Sequence, residues 1–593
     1  MRLLLAVAFL AAALLFIGCS GESGPTLPFK YPLPTNLTVT GTIKLSDVAV
    51  SPALGGINPS FLDYSPFRLT VQDDSSVTGE ADVEGRFSLN PMSIRDQYVI
   101  FCKNSRYPGF VLEYMAADSR GLYGEHHIEI SIRTTAQSMI ARCLRDRYGR
   151  RIDPSALTAT HIDSTVKAIA DVLERHPEKL AGTTLDQVAE IKAAYTSMAE
   201  SLNAGGSGVV PNKWVLMFYL AGDNNLAGFI TDNITDIEKA GVPSGTQILI
   251  QADFPVHGLK RMMLREGKLE ELATVASVDT TSGAVIADFI AWSKRSFPAS
   301  DYALIISSHA DGWKNHLNVR TSLISDDTSG TRGNPVEIAA YVKGANSTFD
   351  GYNRPLSLLV FDACSMASIE IAYEFKDCAA WSVFSQAFVP GNGFPYGDIV
   401  TSVKAIGAEK IDAEEMGKIF CSKYRDKYLN GLIEQPVTVS MVKNAEMSNL
   451  VVKLETYLGK IFANIAKLGP VIANLRDSKT TTGEEDGAQV RYVVQAYEMT
   501  DYRDMRDFIE KARNSMPEVA IEGDLVLENL SNVVRVNYFS RRNFPDTHGL
   551  SISLPDKKTY TSSYISPESL KYYYYQFAQQ TSWDEILAAI NAD

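Results

Sequence analysis

"LSLLVFDACSMASIE", Leu356 to Glu370, is an apolar run of strand length that stops at an aspartate and a cysteine and gives way to helix-forming residues. A run this uniformly apolar fits a strand covered on both faces, as in a parallel sheet, rather than one with a wet side. The same pattern recurs on either side of it. "WVLMFYLA" from Trp214, "TQILIQAD" from Thr246, "RMMLRE" from Arg261, "YALIISSH" from Tyr302 and "WSVFSQ" from Trp381 alternate with helical segments at about 224–240, 283–295, 335–346 and 366–376. Strands alternating with helices predict an α/β domain with a mostly parallel sheet and flanking helices. In such sheets ligands bind beyond the carboxyl ends of the strands, so the polar residues that follow each run are the place to seek chemistry.

Two runs end in reactive side chains, "ALIISSHADGW" in His309 and "SLLVFDAC" in Cys364. If these strands are parallel neighbours, an imidazole and a thiol share one rim. There the imidazole can take the thiol proton and later return it to a leaving amine. A helix starting directly after Cys364 would also favour the thiolate through its dipole. The plainer alternative is a small buried cysteine and a hydrogen-bonded histidine. The placement of both residues at strand ends favours chemistry. A serine esterase of the α/β-hydrolase type would need a G-x-S-x-G turn, which this chain does not contain.

With 593 residues the chain is too long for one hydrophobic core. Its net charge of −14 and lack of a Lys/Arg block argue against a nucleic-acid partner. Residues 1–18 read as an export signal, with Arg2 before a short apolar stretch, and "LFIGC" resembles the lipobox of bacterial lipoproteins, which makes Cys19 the lipidated residue. This predicts a protein held by its N-terminal lipid at the bacterial cell envelope, on the periplasmic or surface face. Residues 19–36, rich in Ser, Gly and Pro, read as an extended tether. From 37 to 134, short alternating strands predict a small β-sandwich. "VTGTI" with "ADVEGRFSLN" resembles the transthyretin-like modules of secreted proteins. Residues 135–210 read as a helical linker, 211–430 as the α/β domain and 431–593 as its C-terminal extension. Cys102 with Cys143 could form a disulfide in an oxidising compartment. The cysteine and histidine spacings give no transition-metal site.

A set of motifs in order, "YLAGDNNL", "SHADGW" at 308–313, "DDTSG" at 326–330, "FDACSMASIEIAYEFKD" at 361–377 and "PGNGFPYGDI" at 390–399, resembles the clostripain family of cysteine peptidases, in the caspase-like clan. "DMRDF", "THGLSISLPD" and "SWDEIL" extend the likeness, which spans about 211–593. The resemblance implies an endopeptidase acting on protein or peptide substrates, with His309 as general base and Cys364 as nucleophile. It implies an oxyanion hole from the backbone N–H groups of Cys364 and Ala310. Ala310 stands where the family has Gly, so a left-handed backbone at that position would be strained. Cleavage after Arg or Lys would draw on Asp362 and on the positions of Gln386 and Asn392, where the family commonly carries carboxylates. An amide attracts a cation less than a carboxylate does. Several relatives cut themselves between the His and Cys strands, and Lys343 is the expected site here. No cofactor is expected beyond the calcium that supports some relatives; Asp326 and Asp327 would offer oxygens, but a solvated acidic loop is the plainer reading. The rival to the enzyme is a catalytically impaired surface protein that keeps the fold as a binding module. Glu370 and Glu374, four apart, read as pins for the helix after Cys364.

Overall fold

The N-terminal alternation folds into β1 (Asn36–Lys44), β2 (Phe67–Val71), β3 (Asp74–Glu80), β4 (Arg86–Ser93), β5 (Tyr98–Asn104), β6 (Val111–Ala116) and β7 (Gly124–Ser131). The computed structural model describes most of residues 36–592. It leaves out 46–66, 94–97, 117–123, 205–211, 315–322, 348–354, 478–481 and 566–571, with several stretches of one to three residues. The expected leader, tether and Cys19 therefore lie outside the described residues. Strands β3, β2, β5 and β6 make one sheet, and β4, β1 and β7 line up in another. Leu69, Ile100 and Leu112 of the first share a core with Val39, Leu89 and Ile130 of the second, as a β-sandwich requires.

Helices Ile132–Tyr148, Ala159–Arg175 and Ala189–Ala204 bury Ile140, Ile169 and Ile191 in that same core. The segment expected to be a linker is therefore part of the module. Its apolar helix faces close the sandwich, because an amphipathic helix must bury its stripe somewhere. Cys102 and Cys143 are both buried free thiols, so the expected bridge is not formed; each fills the core as a small apolar side chain.

The second half contributes β8 (Asn212–Ala221), β9 (Thr246–Phe254), β10 (Gly258–Arg265), β11 (Lys268–Val275), β12 (Ala299–Ser307), the hairpin β13 (Leu323–Asp326) and β14 (Thr331–Gly333), β15 (Leu356–Asp362), β16 (Ala379–Phe384) and β17 (Thr438–Lys443). Strands β16, β15, β12, β8 and β9 lie side by side and parallel, with antiparallel β17 and Val534–Phe539 on one flank and β10 and β11 on the other. Alternate residues of β8 explain the apolar run. Val215, Met217 and Tyr219 enter the core that also takes Val285, Ile286 and Phe289 of helix Gly283–Ser296. Trp214, Leu216 and Phe218 enter the core shared with Ile230 of helix Ala227–Ala240, Ile399 of helix Tyr396–Ile406 and Phe420 of helix Ala413–Tyr428. Both faces are covered, and the expected α/β class holds.

The sandwich and this sheet are continuous. Glu125 of β7 pairs antiparallel with Thr274 of β11, so that β7, β1 and β4 extend the sheet to twelve strands. All described residues fall in one compact unit, Leu33–Asp593. From β8 the chain first moves outward to β9 and later returns to build β12 and β15 on the other side. The order thus reverses at β8 and β12, which opens a crevice at their carboxyl ends.

Candidate active site

The register of two strands sets the site. In the parallel pair β12–β15, Ser307 faces Asp362, the last residues of the two strands. His309 and Cys364 each follow two residues later. The Ser308 N–H donates to the Asp362 carbonyl at 3.4 Å, and its hydroxyl donates to the Ala221 carbonyl at 3.2 Å. One serine thus ties together the ends of β8, β12 and β15.

Past β15 the chain turns sharply. Ser365, buried, has φ of +58°, a region that non-glycine residues seldom adopt. Such a residue stores about 1–3 kcal/mol, which the surrounding structure must offset. The clamp is visible: the Ser365 N–H donates to the Ala387 carbonyl at 3.2 Å, the Ala367 N–H to the Ser385 carbonyl at 2.9 Å, and the Ser551 N–H to the Ala367 carbonyl at 2.8 Å. The helix begins only at Ile369, capped by the Ser368 hydroxyl, which accepts the Ile371 N–H at 3.4 Å. Cys364 is therefore not at a helix N-terminus, as the sequence suggests, but in the turn before it. Glu370 and Glu374 anchor the C-terminal extension onto that helix. Glu370 accepts the Ser553 N–H at 3.0 Å and the Tyr572 hydroxyl at 2.8 Å, and Glu374 accepts the Gln576 N–H at 2.9 Å.

The thiol lies in a dry and acidic setting. Burial pushes Cys364 up to about 11, the Val389 N–H that its sulfur accepts at 3.3 Å pulls back, and Asp362, Glu498 and Asp311 push further up. A thiol so placed is neutral at pH 7 and needs a base to become a nucleophile. His309 stands on the neighbouring strand end. Its Nε2 meets the Asn225 side-chain oxygen at 2.5 Å, and its carbonyl accepts the Ile324 N–H at 3.1 Å. Among the described residues, no protein acceptor takes the N–H of Cys364 or of Ala310.

The left-handed position of the histidine loop is Gly312, at φ +61°, and not Ala310. A Cβ on Gly312 would lie 2.2 Å from the Tyr502 hydroxyl, so glycine is required there, and alanine at 310 carries no such strain. Residues far along the chain hold this loop. Tyr502 donates to the Asp311 carbonyl at 3.1 Å, Tyr575 to the Trp313 carbonyl at 2.5 Å, and Lys314 pairs with Asp501 at 2.7 Å out of solvent.

The residues expected to contact substrate separate. Asp362 is 4% exposed, and its Oδ2 accepts the Tyr396 hydroxyl at 2.5 Å and the Phe394 N–H at 3.1 Å. Gly393 packs so closely on it that a Cβ would come within 2.1 Å of Oδ2. Gln386 is also buried, and its amide is used inside the fold: Nε2 donates to Asp504 at 3.1 Å and Oε1 accepts the Gly549 N–H at 2.9 Å. It joins β16 to the C-terminal extension and does not face a substrate. Asn392 alone of the three is exposed, with its carbonyl held by Lys427 at 3.1 Å. Lys343 lies within helix Pro335–Ser347 and bonds to Asp377 at 2.7 Å, not in the open loop expected for a cleavage site.

Asp326 is the member of the acidic pair that gathers with others. It lies with Asp223 and Asp253, all three buried, with carboxylate oxygens within 4.8 Å of one another. Burial, and then the charge of Asp326, pushes Asp253 up to about 7. Three hard oxygen donors at this spacing fit a calcium-like cation, which would relieve that crowding. Asp327 instead pairs with Arg332 at 3.1 Å. Two residues of the site are absent from the sequence-based set. Asn225 follows β8, and the strand-end rule applied to "YLAGDNNL" points to it. Glu498 lies in no periodic element, and nothing in its neighbourhood signals it.

A family model described as the Clostripain family matches residues 218–589. Clostripain of Hathewaya histolytica is 25% identical over 415 residues, covering 60% of this chain and 77% of that protein. Among solved structures, a secreted C11 cysteine protease from Bacteroides thetaiotaomicron, in complex with an irreversible peptide inhibitor, is 18% identical with a TM-score of 0.47, covering 63% of this chain and 99% of that one. An inactive zymogen C11 protease from Parabacteroides distasonis is 18% identical with a TM-score of 0.42, covering 58% and 93%.

Proposed function

We propose that this chain, which belongs to the clostripain family and is a cysteine-type endopeptidase, cleaves peptide bonds through a dyad of His309 and Cys364. The single observation that carries this reading is the register of β12 on β15, which ends both strands together two residues before the histidine and the cysteine. In the first step His309 takes the thiol proton and the sulfur attacks the substrate carbonyl carbon. The oxyanion that forms needs two donors, and the unpaired N–H groups of Cys364 and Ala310 are suited to that role. His309 then returns the proton to the departing amine, leaving a thioester. Water, with His309 again as base, releases the acid and restores the thiol.

Cleavage after Arg or Lys fits the acidic surroundings of the thiol, where Asp362, Glu498 and Asp311 all bear on Cys364. Attachment to the envelope through a lipid on Cys19 is supported by the apolar leader and the small-residue context before that cysteine. Metabolic labelling with a fatty acid tests it, and loss of label in Cys19→Ala is the expected result.

Peptides that differ only in the residue before the cut, Arg, Lys or uncharged, test the activity and its preference. Cys364→Ala should abolish cleavage, and His309→Ala should lower it by about 10²–10⁴-fold. Full activity in either variant removes the dyad, and faster cleavage of the uncharged peptide removes the basic preference. A peptide chloromethyl ketone should label Cys364; a folded wild type that is neither labelled nor active would instead support the binding-module reading.

A further inference from the structure

The C-terminal extension carries a cleft that the peptidase reaction leaves unused. Arg506 of helix Met505–Ser515, Ser531 of helix Ala520–Val533, Asn537 of strand Val534–Phe539 and His548 of the "THGLSISLPD" motif line a cavity of about 230 Å³. We propose that this cavity binds inorganic phosphate, held by Arg506 and His548 as cations and by Asn537 as an acceptor. The cavity is connected to the turn of the nucleophile. Asp504, which takes His548 on Oδ1, takes Gln386 on Oδ2 at 3.1 Å, and the next residue, Ala387, accepts the Ser365 N–H.

Two positive groups meet in the cleft with donors left over. His548 donates through Nδ1 to Oδ1 of buried Asp504 at 3.0 Å, and through its backbone N–H to Oδ2 at 2.6 Å. Burial lowers the basicity of the imidazole, but the bond and the charge of Asp504 outweigh it and hold His548 above the usual histidine value. With Nδ1 committed to a carboxylate, a proton on Nε2 makes an imidazolium with one N–H left for a ligand. Arg506 donates through Nε to Glu510 at 2.8 Å and through Nη1 to the Ser531 hydroxyl at 3.1 Å. Among the described residues, neither Nε2 of His548 nor Nη2 of Arg506 takes a protein partner. The Arg506 charge works against protonation of His548. An anion between them turns that repulsion into attraction to both, through charge-assisted bonds of the stronger kind.

The acceptor selects the anion. Nδ2 of Asn537 donates to the Thr547 carbonyl at 2.8 Å, which fixes the orientation of the amide, and Oδ1 is buried without a partner. Sulfate and an ionised carboxylate bring no hydrogen to such an oxygen. Phosphate near neutral pH keeps a P–OH that can donate to Asn537, while its other oxygens accept from Arg506 and His548.

Isothermal titration of the full chain near neutral pH, with potassium phosphate against potassium sulfate at matched ionic strength, tests the site. Saturable binding of phosphate, about tenfold or more tighter than sulfate, is the expected result. Arg506→Gln and His548→Gln should each weaken it about tenfold. Asn537→Ala should bring the affinities for phosphate and sulfate within about twofold of each other. Since His548 and Asn537 also make bonds inside the fold, Ser531→Asp is the independent variant. Ser531 is exposed, and a carboxylate there would pair with Arg506 and repel the anion, so phosphate binding should be lost. Circular dichroism verifies that each variant is folded. A folded wild type that shows no saturable phosphate binding overturns the proposal, as does equal affinity for sulfate. Affinity that stays within about twofold in both Arg506→Gln and Ser531→Asp also overturns it, by placing the anion elsewhere.

Discussion

The side-chain oxygen of Asn225 lies 2.5 Å from Nε2 of His309, across the ends of β8 and β12. The bond holds the imidazole by its Nε2 side. Asn225 is thus a positioning residue. Asn225→Ala should lower kcat about 10–100-fold with little change in KM, since the imidazole is then free to turn and to change tautomer. Asn225→Asp, which keeps an acceptor, should recover most of the rate and shift its pH profile. Wild-type kcat in Asn225→Ala would refute the role.

The environment of Cys364 sets a pH signature. With the thiol pushed up to about 11 by burial, the thiolate is a small fraction at neutral pH and grows as pH rises toward that value. In His309→Ala, where no imidazole can take the proton, alkylation of Cys364 by iodoacetamide should climb about tenfold per pH unit between pH 7 and 9. A rate that is flat over this range would mean the thiol is already ionised, contrary to the acidic and buried setting described.

The parts of the fold that follow from residue pattern were legible, and the parts that follow from long-range contact were not. Continuous apolar runs identified β8, β9, β12, β15 and β16, because a strand buried on both faces has no polar alternation to confuse it. The strand-end rule then exposed His309 and Cys364. The sequence could not show that Gly312, rather than residue 310, takes the left-handed conformation, since this depends on Tyr502 approaching from 190 positions away. It could not show the role of Gln386 for the same reason. Its partners Asp504 and Gly549 lie in the C-terminal extension, and the local text "SQAFVPGNG" looks like a pocket wall.

That difference at Gln386 yields a test. Because its amide nitrogen donates to buried Asp504, Gln386→Glu would set two carboxylates against each other out of solvent. The variant should lose stability by about 3 kcal/mol and should gain no preference for Arg over norleucine. Chemical unfolding at equal protein concentration measures the first, and the peptide pair measures the second. A stable Gln386→Glu enzyme with a sharpened basic preference would place this residue in the pocket after all.

The Asp223, Asp253 and Asp326 cluster predicts a response to calcium that is visible without any substrate. Binding to the folded chain alone raises the unfolding midpoint by mass action, so about millimolar calcium should give a higher midpoint than chelator does. Asp326→Asn should remove the rise, whereas Asp327→Asn should leave it intact, because Asp327 is paired with Arg332 and points its carboxylate elsewhere. An equal rise in all three proteins would locate the ion away from this cluster.

Self-cleavage at Lys343 is disfavoured by the structure. A peptidase cleft takes its substrate extended, whereas Lys343 lies inside a helix with Val342 and Ala345 buried on one face and its ammonium bonded to Asp377. Cutting there requires unwinding the helix and exposing those side chains first. Purified wild type held at neutral pH should therefore show no fragment ending at Lys343 by mass spectrometry, and Lys343→Ala should give the same band pattern as wild type. A fragment with that end, absent from Cys364→Ala, would mean that the helix opens far more readily than its packing indicates.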